Sequence, residues 1–257
     1  GIYRPEEIRF PVRKMTLAQG GEFVEERVVR VDGVGRTLTL SRGERLSYDV
    51  ASFNTGSLVP IDPRVAGHPA VFPVKPIEKL LAARSHTLAA LRQKALDVLV
   101  AGGGPAGVEI AANLRRLVKE ARGVASITLV AGRGLLAGFG AKVRRLVRQR
   151  LSRLEVAVLE DEWLDGAEGE RVRLKSGREL ACDILLLAVG VQPSTLFQDS
   201  GLPTGADGGL RVNQFLQSVE FPEIFGGGDC ISFDPRPLAK VGIYAVRQNP
   251  VLLENLQ

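Results

Sequence analysis

The sequence predicts an α/β chain built from two copies of one parallel-sheet unit, and three observations carry that prediction. Residues 98–110 read VLVAGGGPAGVEI, where a short apolar strand runs into Gly102, Gly104 and Gly107 and then into an alanine-rich helix. A second strand, SITLVAG at 126–132, follows that helix. Two stretches, LSRGERLSYDVASFNTGS at 40–57 and LKSGRELACDILLLAVGV at 174–191, resemble each other along their whole length. With 257 residues, 45% of them hydrophobic, the chain can bury one large or two medium cores.

Asp97–Ala101 suits a buried strand of a parallel sheet. In Gly102-x-Gly104-x-x-Gly107, the first glycine permits a tight turn. The second lets backbone approach a pyrophosphate, and the third lets the helix pack closely on the strand. Pro105 fits the first helical turn, where its missing N–H costs nothing. A helix over Ala106–Ala121 then aims its N-terminal amides, and the positive end of its dipole, at phosphate. A glycine pattern alone is weak, but in strand–turn–helix–strand order it specifies a Rossmann-like dinucleotide site.

One customary part is missing. A site specific for NAD usually ends its second strand with Asp or Glu to hold the ribose 2′-hydroxyl, and NADP sites place Arg nearby. Here that strand ends Ala131-Gly132-Arg133. This points to NADP or to a loosely specified site, with a merely solvent-facing Arg133 as the alternative.

The repeat is next. Leu40 matches Leu174, Gly43 matches Gly177, Leu46 matches Leu180, Asp49 matches Asp183 and Gly56 matches Gly190, at a constant separation of 134 positions. Upstream, FVEERVVRVD and VAVLEDEWLD are both strand-like and are expected to correspond. Each copy reads as an antiparallel meander closed by a buried strand that ends in glycine. A period this long means two copies of a domain rather than a solenoid. The twin of Gly102 would fall before residue 1, so the expectation is a fragment, or a gene product lacking its start.

Composition narrows the function classes. The formal charge of +5 is concentrated in KVRRLVRQRLSRL at 142–154, where Val143, Leu146, Val147, Leu151 and Leu154 recur at helical spacing. This predicts an amphipathic helix with a solvated basic face, and no nucleic-acid motif accompanies it. No apolar run reaches the ~18–20 residues of a membrane span. Cys182 and Cys230 stand far apart with no CxxC, and the two histidines are His68 and His86, so neither a disulfide framework nor a metal site is expected. A reducing cytoplasm fits this cysteine usage.

Four motifs in order resemble the FAD-dependent pyridine nucleotide–disulfide oxidoreductases, the flavoproteins with two dinucleotide domains. They are Tyr48-Asp49 through Asn54-Thr55-Gly56, the glycine loop running on to Glu109, Ala188-Val189-Gly190 with Pro193, and RVNQFLQSVEFPEIFGGGDC at 211–230. PVKPIEKLL at 73–81 and PLAKVGIYAVRQNPVLLENL at 237–256 look most like the reductase modules beside selenide, water dikinase, themselves relatives of type II NADH dehydrogenases.

The resemblance implies tandem Rossmann-like domains of three ββα layers. An NAD(P)-binding domain at 73–205 would be inserted in an incomplete FAD-binding domain, 1–72 plus 206–257. It implies that Gly102, Gly104, Pro105, Ala106 and Gly107 hold the NAD(P) pyrophosphate, with Arg133 beside the ribose. Glu109 would lie near the nicotinamide, and Gly190 would leave room for it. Asp229 would face the FAD ribityl and pyrophosphate with Gly228 letting the backbone close in, and Lys240 and Tyr244 would flank the flavin or serve as packing. The helix starting near Gly242 would aim its amides at the flavin ring.

The implied activity is hydride transfer from NAD(P)H to FAD and on to an unidentified electron acceptor, with no catalytic side chain required. FAD is expected in the longer protein and poorly retained by this chain. A homodimer through an exposed sheet edge is expected as a possibility. The alternative is a non-catalytic NAD(P)-binding module serving as sensor or docking domain. Two departures count against particular acceptors. Ile243 replaces the first glutamine of the quinone motif of type II NADH dehydrogenases, and neither cysteine has a partner at dithiol spacing.

Overall fold

The computed structural model describes residue 7 and residues 9–257. Its elements begin with helix α1 (Val12–Ala18) and strands β1 (Val28–Asp32), β2 (Thr37–Leu40), β3 (Arg45–Ser47) and β4 (Ala51–Phe53). Next come β5 (Val71–Pro73), α2 (Ile77–Ala90), β6 (Leu96–Ala101), α3 (Pro105–Glu120), β7 (Ala125–Ala131), α4 (Ala141–Arg153) and β8 (Val156–Glu160). A meander β9 (Leu164–Glu168), β10 (Arg171–Leu174), β11 (Glu179–Ala181) leads to β12 (Ile184–Leu187). The chain finishes with α5 (Leu196–Asp199), β13 (Leu210–Val212), β14 (Ile224–Gly226), a 3-10 turn Gly228–Cys230, β15 (Ile231–Phe233) and α6 (Gly242–Leu256).

These elements form two compact units. The first is Val59–Gly190, and the second gathers the described residues up to Leu58 with Val191–Gln257. The first unit is a parallel sheet of order β5-β12-β6-β7-β8 with the meander β11-β10-β9 beside it. Its centre is apolar because LDVLVA and ILLL are buried on both faces, as strands covered by helices on two sides must be. Leu96, Val98 and Val100 pack with Ala111, Leu114 and Val118 of α3. Arg115 fastens the rim, its guanidinium donating to the carbonyls of Leu154, Ala125 and Glu155 at 2.8, 3.0 and 2.7 Å.

The second unit contains the antiparallel sheet β1-β2-β3 and two parallel pairs, β14-β4 and β13-β15. Its core joins Phe53, Phe197, Leu210, Val212, Ile224 and Leu252.

The repeat is reproduced residue by residue. β2 and β3 pair Thr37 with Ser47, Leu38 with Leu46 and Thr39 with Arg45. β10 and β11 pair Arg171 with Ala181, Val172 with Leu180 and Arg173 with Glu179, the same register carried 134 positions on. Both hairpins turn on a glycine at positive φ, Gly43 at 91° and Gly177 at 87°. Upstream the correspondence fails. VAVLE forms β8 of the parallel sheet, whereas residues 22–27 join no ladder, so only Leu164-Asp165 at the end of that stretch has a counterpart in β1. Both meanders carry the same register shift, opposite Leu40/Thr39 and opposite Leu174/Arg173, but the first strands are 136 rather than 134 positions apart, because the turn at 169–170 is two residues shorter than the one at 33–36.

The unit boundaries also differ from the expected 72/73 and 205/206. Residues 59–72 join the first unit because Val65 is buried there, Arg64 pairs with Asp165 at 2.6 Å, and β5 ladders with β12. Residues 191–205 join the second because Phe197 is fully buried edge-on against Phe53, 5.3 Å between ring centroids, and Ser200 Oγ accepts the Val31 N–H at 2.9 Å.

Helix α4 buries less than its periodicity predicts. Leu151 is inside, but Val143 and Leu146 remain 41% and 53% exposed, since only the last turns of α4 lie against the apolar core. Among the described residues no helix is long and apolar enough to cross a membrane.

Candidate functional site

The glycine turn of the first unit leaves β6 at Ala101 and enters α3 at Pro105. Gly102 has φ +126°, a region side chains rarely adopt, and a Cβ there would lie 2.1 Å from the Ala188 carbonyl oxygen. A Cβ on Gly107 would lie 1.8 Å from the Gly102 oxygen, so the helix can seat on the turn only through glycine. Gly103 is constrained as well, facing Ala131 Cβ at 2.6 Å and the Gly134 oxygen at 2.7 Å, and its carbonyl accepts the Leu136 N–H at 2.8 Å.

Gly104 is different. Nothing lies within 4 Å of its Cβ position, and it caps α3 in extended conformation (φ −77°, ψ 179°) with its carbonyl accepting the Val108 N–H. Gly102, Gly103 and Gly107 are thus sealed by the protein's own atoms, while Gly104 opens to solvent at the N-terminus of a 16-residue helix. That arrangement fits a pyrophosphate: an unfilled space beside backbone, free first-turn amides and the positive end of the dipole.

Around this turn, Pro105, Ala106 and Glu109 are exposed on the first turns of α3. β12 runs parallel beside β6, pairing Leu187 with Ala101, so Ala188–Gly190 emerges next to Gly102 at the carboxyl ends of both strands. Gly190 stands at φ +107° with nothing within 4 Å of its Cβ position. This is the crevice side of an open parallel sheet, where such folds bind ligands. Arg133 is exposed in the turn after β7.

In the second unit, one pocket is lined by Gly228, Asp229, Phe233, Leu238, Lys240, Tyr244 and Gln248, among others. It brings together all four residues of this unit singled out from sequence. β14 pairs in parallel with β4, and the chain turns out of it through Gly228 at φ +73° into the 3-10 turn holding Asp229. Ser57 Oγ donates to Asp229 Oδ2 at 2.8 Å. The Gly228 N–H donates to Gln248 Oε1 at 2.7 Å, which ties the turn to α6. Lys240 Nζ donates to the Ile231 carbonyl and pairs with Asp207 Oδ2 at 2.8 Å. Burial of Asp207 opposes its charge, but hydrogen bonds from Lys240 and the Gly209 N–H outweigh it and hold the carboxyl below its ordinary value.

Helix α6 begins at Gly242 as expected and packs on the turn through Tyr244, Gln248 and Leu252. An acidic group set by a serine and an ammonium on a carbonyl, beside a turn whose Gly228 amide is bonded to Gln248, make a polar, mixed-charge cradle with apolar walls. Its donors and acceptors suit a dinucleotide with phosphate and polyol parts.

Ser57 and Gln248 were missed from sequence. Ser57 directly follows the Thr55-Gly56 motif, which is a usable signal, while Gln248 reads only as one polar residue on a helix. Neither cysteine lines a reactive surface. Cys182 sits between β11 and β12, buried, with its thiol pushed up to about 12 by burial and by neighbouring Asp183. Cys230 is fully buried, its thiol donating toward the Phe53 and Gly227 carbonyls. Among the described residues no cluster of metal-ligating side chains occurs.

A family model described as pyridine nucleotide-disulphide oxidoreductase matches residues 5–248. Ferroptosis suppressor protein 1 of Taeniopygia guttata is 30% identical over 241 residues, 88% of this chain and 61% of that protein. The nitrite reductase [NAD(P)H] of Bacillus subtilis (strain 168) is 26% identical over 219 residues, 81% of this chain and 25% of that protein. Among solved structures, the ferredoxin reductase for the CYP199A2 system from Rhodopseudomonas palustris superposes with a TM-score of 0.77 at 25% identity, covering 93% of this chain and 58% of that one. The chain thus spans less than two thirds of the length of each of these relatives.

Proposed function

The chain belongs to the pyridine nucleotide-disulphide oxidoreductase family, and from that premise we propose that it is the NAD(P)H- and FAD-binding part of a flavin-dependent NAD(P)H oxidoreductase. The observation that carries this reading is the glycine turn. Gly102 and Gly107 are closed off by the protein's own backbone, while Gly104 faces open space at the start of α3.

In this reading the first unit takes the nicotinamide dinucleotide. The amides after Gly104 hold the pyrophosphate, Gly107 keeps α3 tight on β6, and Gly190 leaves space beside the nicotinamide. The second unit takes FAD. Asp229, aligned by Ser57, accepts hydrogen bonds from the ribityl hydroxyls, and Gly228 is locked by Gln248 so that backbone meets the ligand. Lys240 and Tyr244 line the same pocket. The bound cofactors supply the redox chemistry, a hydride passing from the nicotinamide to the flavin. This chain's residues bind, orient and place charge.

The acceptor is left open. The relatives carry names of reductases, a suppressor protein and an NADH oxidase, which does not favour the reading as a non-catalytic module.

The test is to add FAD and NADPH or NADH to the purified chain, follow nicotinamide emission for binding, and follow absorbance loss with ferricyanide as an artificial acceptor. Saturable binding and FAD-dependent oxidation support the proposal. Binding of neither dinucleotide would overturn it.

A further inference from the structure

We propose that the outer face of α6 is a self-association surface, on which a second copy of this chain packs its own α6 antiparallel about a two-fold axis near Pro250. This assigns the homodimer to a helix face, where the sequence suggested a sheet edge. It is independent of which dinucleotide either unit binds.

The inward positions of α6 are Tyr244, Gln248 and Leu252, spaced four apart. Turned the other way are Ile243, Val246, Pro250 and Leu253, at spacings of three, four and three. That spacing makes one continuous stripe, the pattern of a seam between two helices. A helix at the surface normally carries polar side chains on its outer side. Here Ile243, Val246 and Leu253 are 52%, 69% and 59% exposed, and Pro250 is exposed with them. The helix is therefore apolar on two opposite sides, as a helix covered on both would be. Among the described residues nothing covers the outer one.

The charges beside the stripe identify its partner. Arg247 and Glu254 lie exposed on one flank, seven positions apart. Among the described residues neither has an ion-pair partner. A two-fold axis between antiparallel helices exchanges their ends and keeps that flank on one side. It sets Val246 of each copy against Leu253 of the other, and Arg247 of each against Glu254 of the other. The surface is thus complementary to itself, as an isologous contact requires. A parallel pairing would turn this flank towards the opposite one, where Asn249 and Leu256 lie, and leave both charges unmatched. A bilayer would have to accept Glu254 along with the stripe.

One helix pair is a small interface, under about 1,200 Å² in total, so a dissociation constant in the micromolar range is expected. The full chain is examined by sedimentation velocity from roughly 1 to 100 μM, a range that spans such a constant. The expected result is a concentration-dependent shift from monomer to dimer. Val246→Asp, at an exposed position, should remain monomeric throughout with an unchanged circular dichroism spectrum.

Charge reversal tests the register. Arg247→Glu sets acid against acid at both places, and Glu254→Arg sets base against base. Each variant alone should self-associate roughly 10-fold more weakly than the parent. Mixed in equal amounts they present opposite charges at both places again, and a heterodimer of parental strength should form, followed with one variant fluorescently labelled. A parent that stays monomeric at the highest concentration overturns the inference, as does dimerisation that survives Val246→Asp. Charge variants that dimerise as tightly as the parent, or a mixture with no recovery, overturn it as well.

Discussion

Gly107 sits directly on the carbonyl oxygen of Gly102: a Cβ on the helix glycine would lie 1.8 Å from that atom. Neither atom is the end of a flexible side chain, so Gly107→Ala must push α3 away from β6. We expect about 1–3 kcal/mol of lost stability, the usual cost of overpacking, read as a lower Tm by circular dichroism. Gly104→Ala is the contrasting case. It has open space and an extended φ that any residue accepts, so the Tm should hold while NAD(P)H binding weakens. Equal loss of Tm in the two variants would contradict the division of labour between these glycines.

That division was legible in the sequence only in part. The spacing of Gly102, Gly104 and Gly107 carries the turn, the approach and the packing, because each follows from local backbone geometry. The 134-position repeat was legible for the same reason, since hairpin register is set by short-range turns at Gly43 and Gly177. What was not legible depends on distant contacts. The unit boundaries are set by Phe197 meeting Phe53 and by β5 finding β12. Trp163 meets Gly132 only after α4 and β8 have returned the chain to the sheet. The exposure of Leu146 likewise depends on where α4 lies, because a helical period states which residues share a face and not whether that face is covered.

The bond from the Gly228 N–H to Gln248 Oε1, 2.7 Å, joins the 3-10 turn to α6. Gln248→Ala would leave a part-buried donor without its acceptor, at a cost of about 1–3 kcal/mol. Expected outcomes are a lower Tm and weaker binding of added FAD. Gln248→Glu retains an acceptor at the same reach and should recover most of both. A Gln248→Ala protein with unchanged FAD affinity would remove this residue from the proposed pocket.

Asp207 and Lys240 make a pH-dependent contribution whose sign is fixed. The Asp207 carboxyl is held below its ordinary value in the folded chain, burial being outweighed by Lys240 and the Gly209 N–H. Its stabilisation is therefore present above the unfolded carboxyl pKa of about 3.9 and is lost as pH falls through the lower folded value. The side chain is 42% exposed, so solvent screening keeps the contribution under about 1 kcal/mol. Urea midpoints measured from pH 7 to pH 3 should fall less steeply for Asp207→Asn than for the parent below pH ~4. Parallel curves would show that the pair contributes nothing.

Cys182 acts at the other end of the scale. Its thiol is pushed up to about 12, first by burial and then by the charge of Asp183. An unfolded thiol ionises near 8.5. Between these values the unfolded chain releases a proton that the folded chain keeps, so stability is fully present below about 8.5 and declines as pH rises towards 12. Cys182→Ala should flatten that alkaline decline relative to the parent, measured by urea midpoints from pH 8 upward. The same burial predicts that iodoacetamide labels Cys182 only as fast as the protein opens, because the thiolate is the reacting form and the native site disfavours it. Labelling in native buffer at the rate of a free thiol would contradict the placement of this residue between β11 and β12.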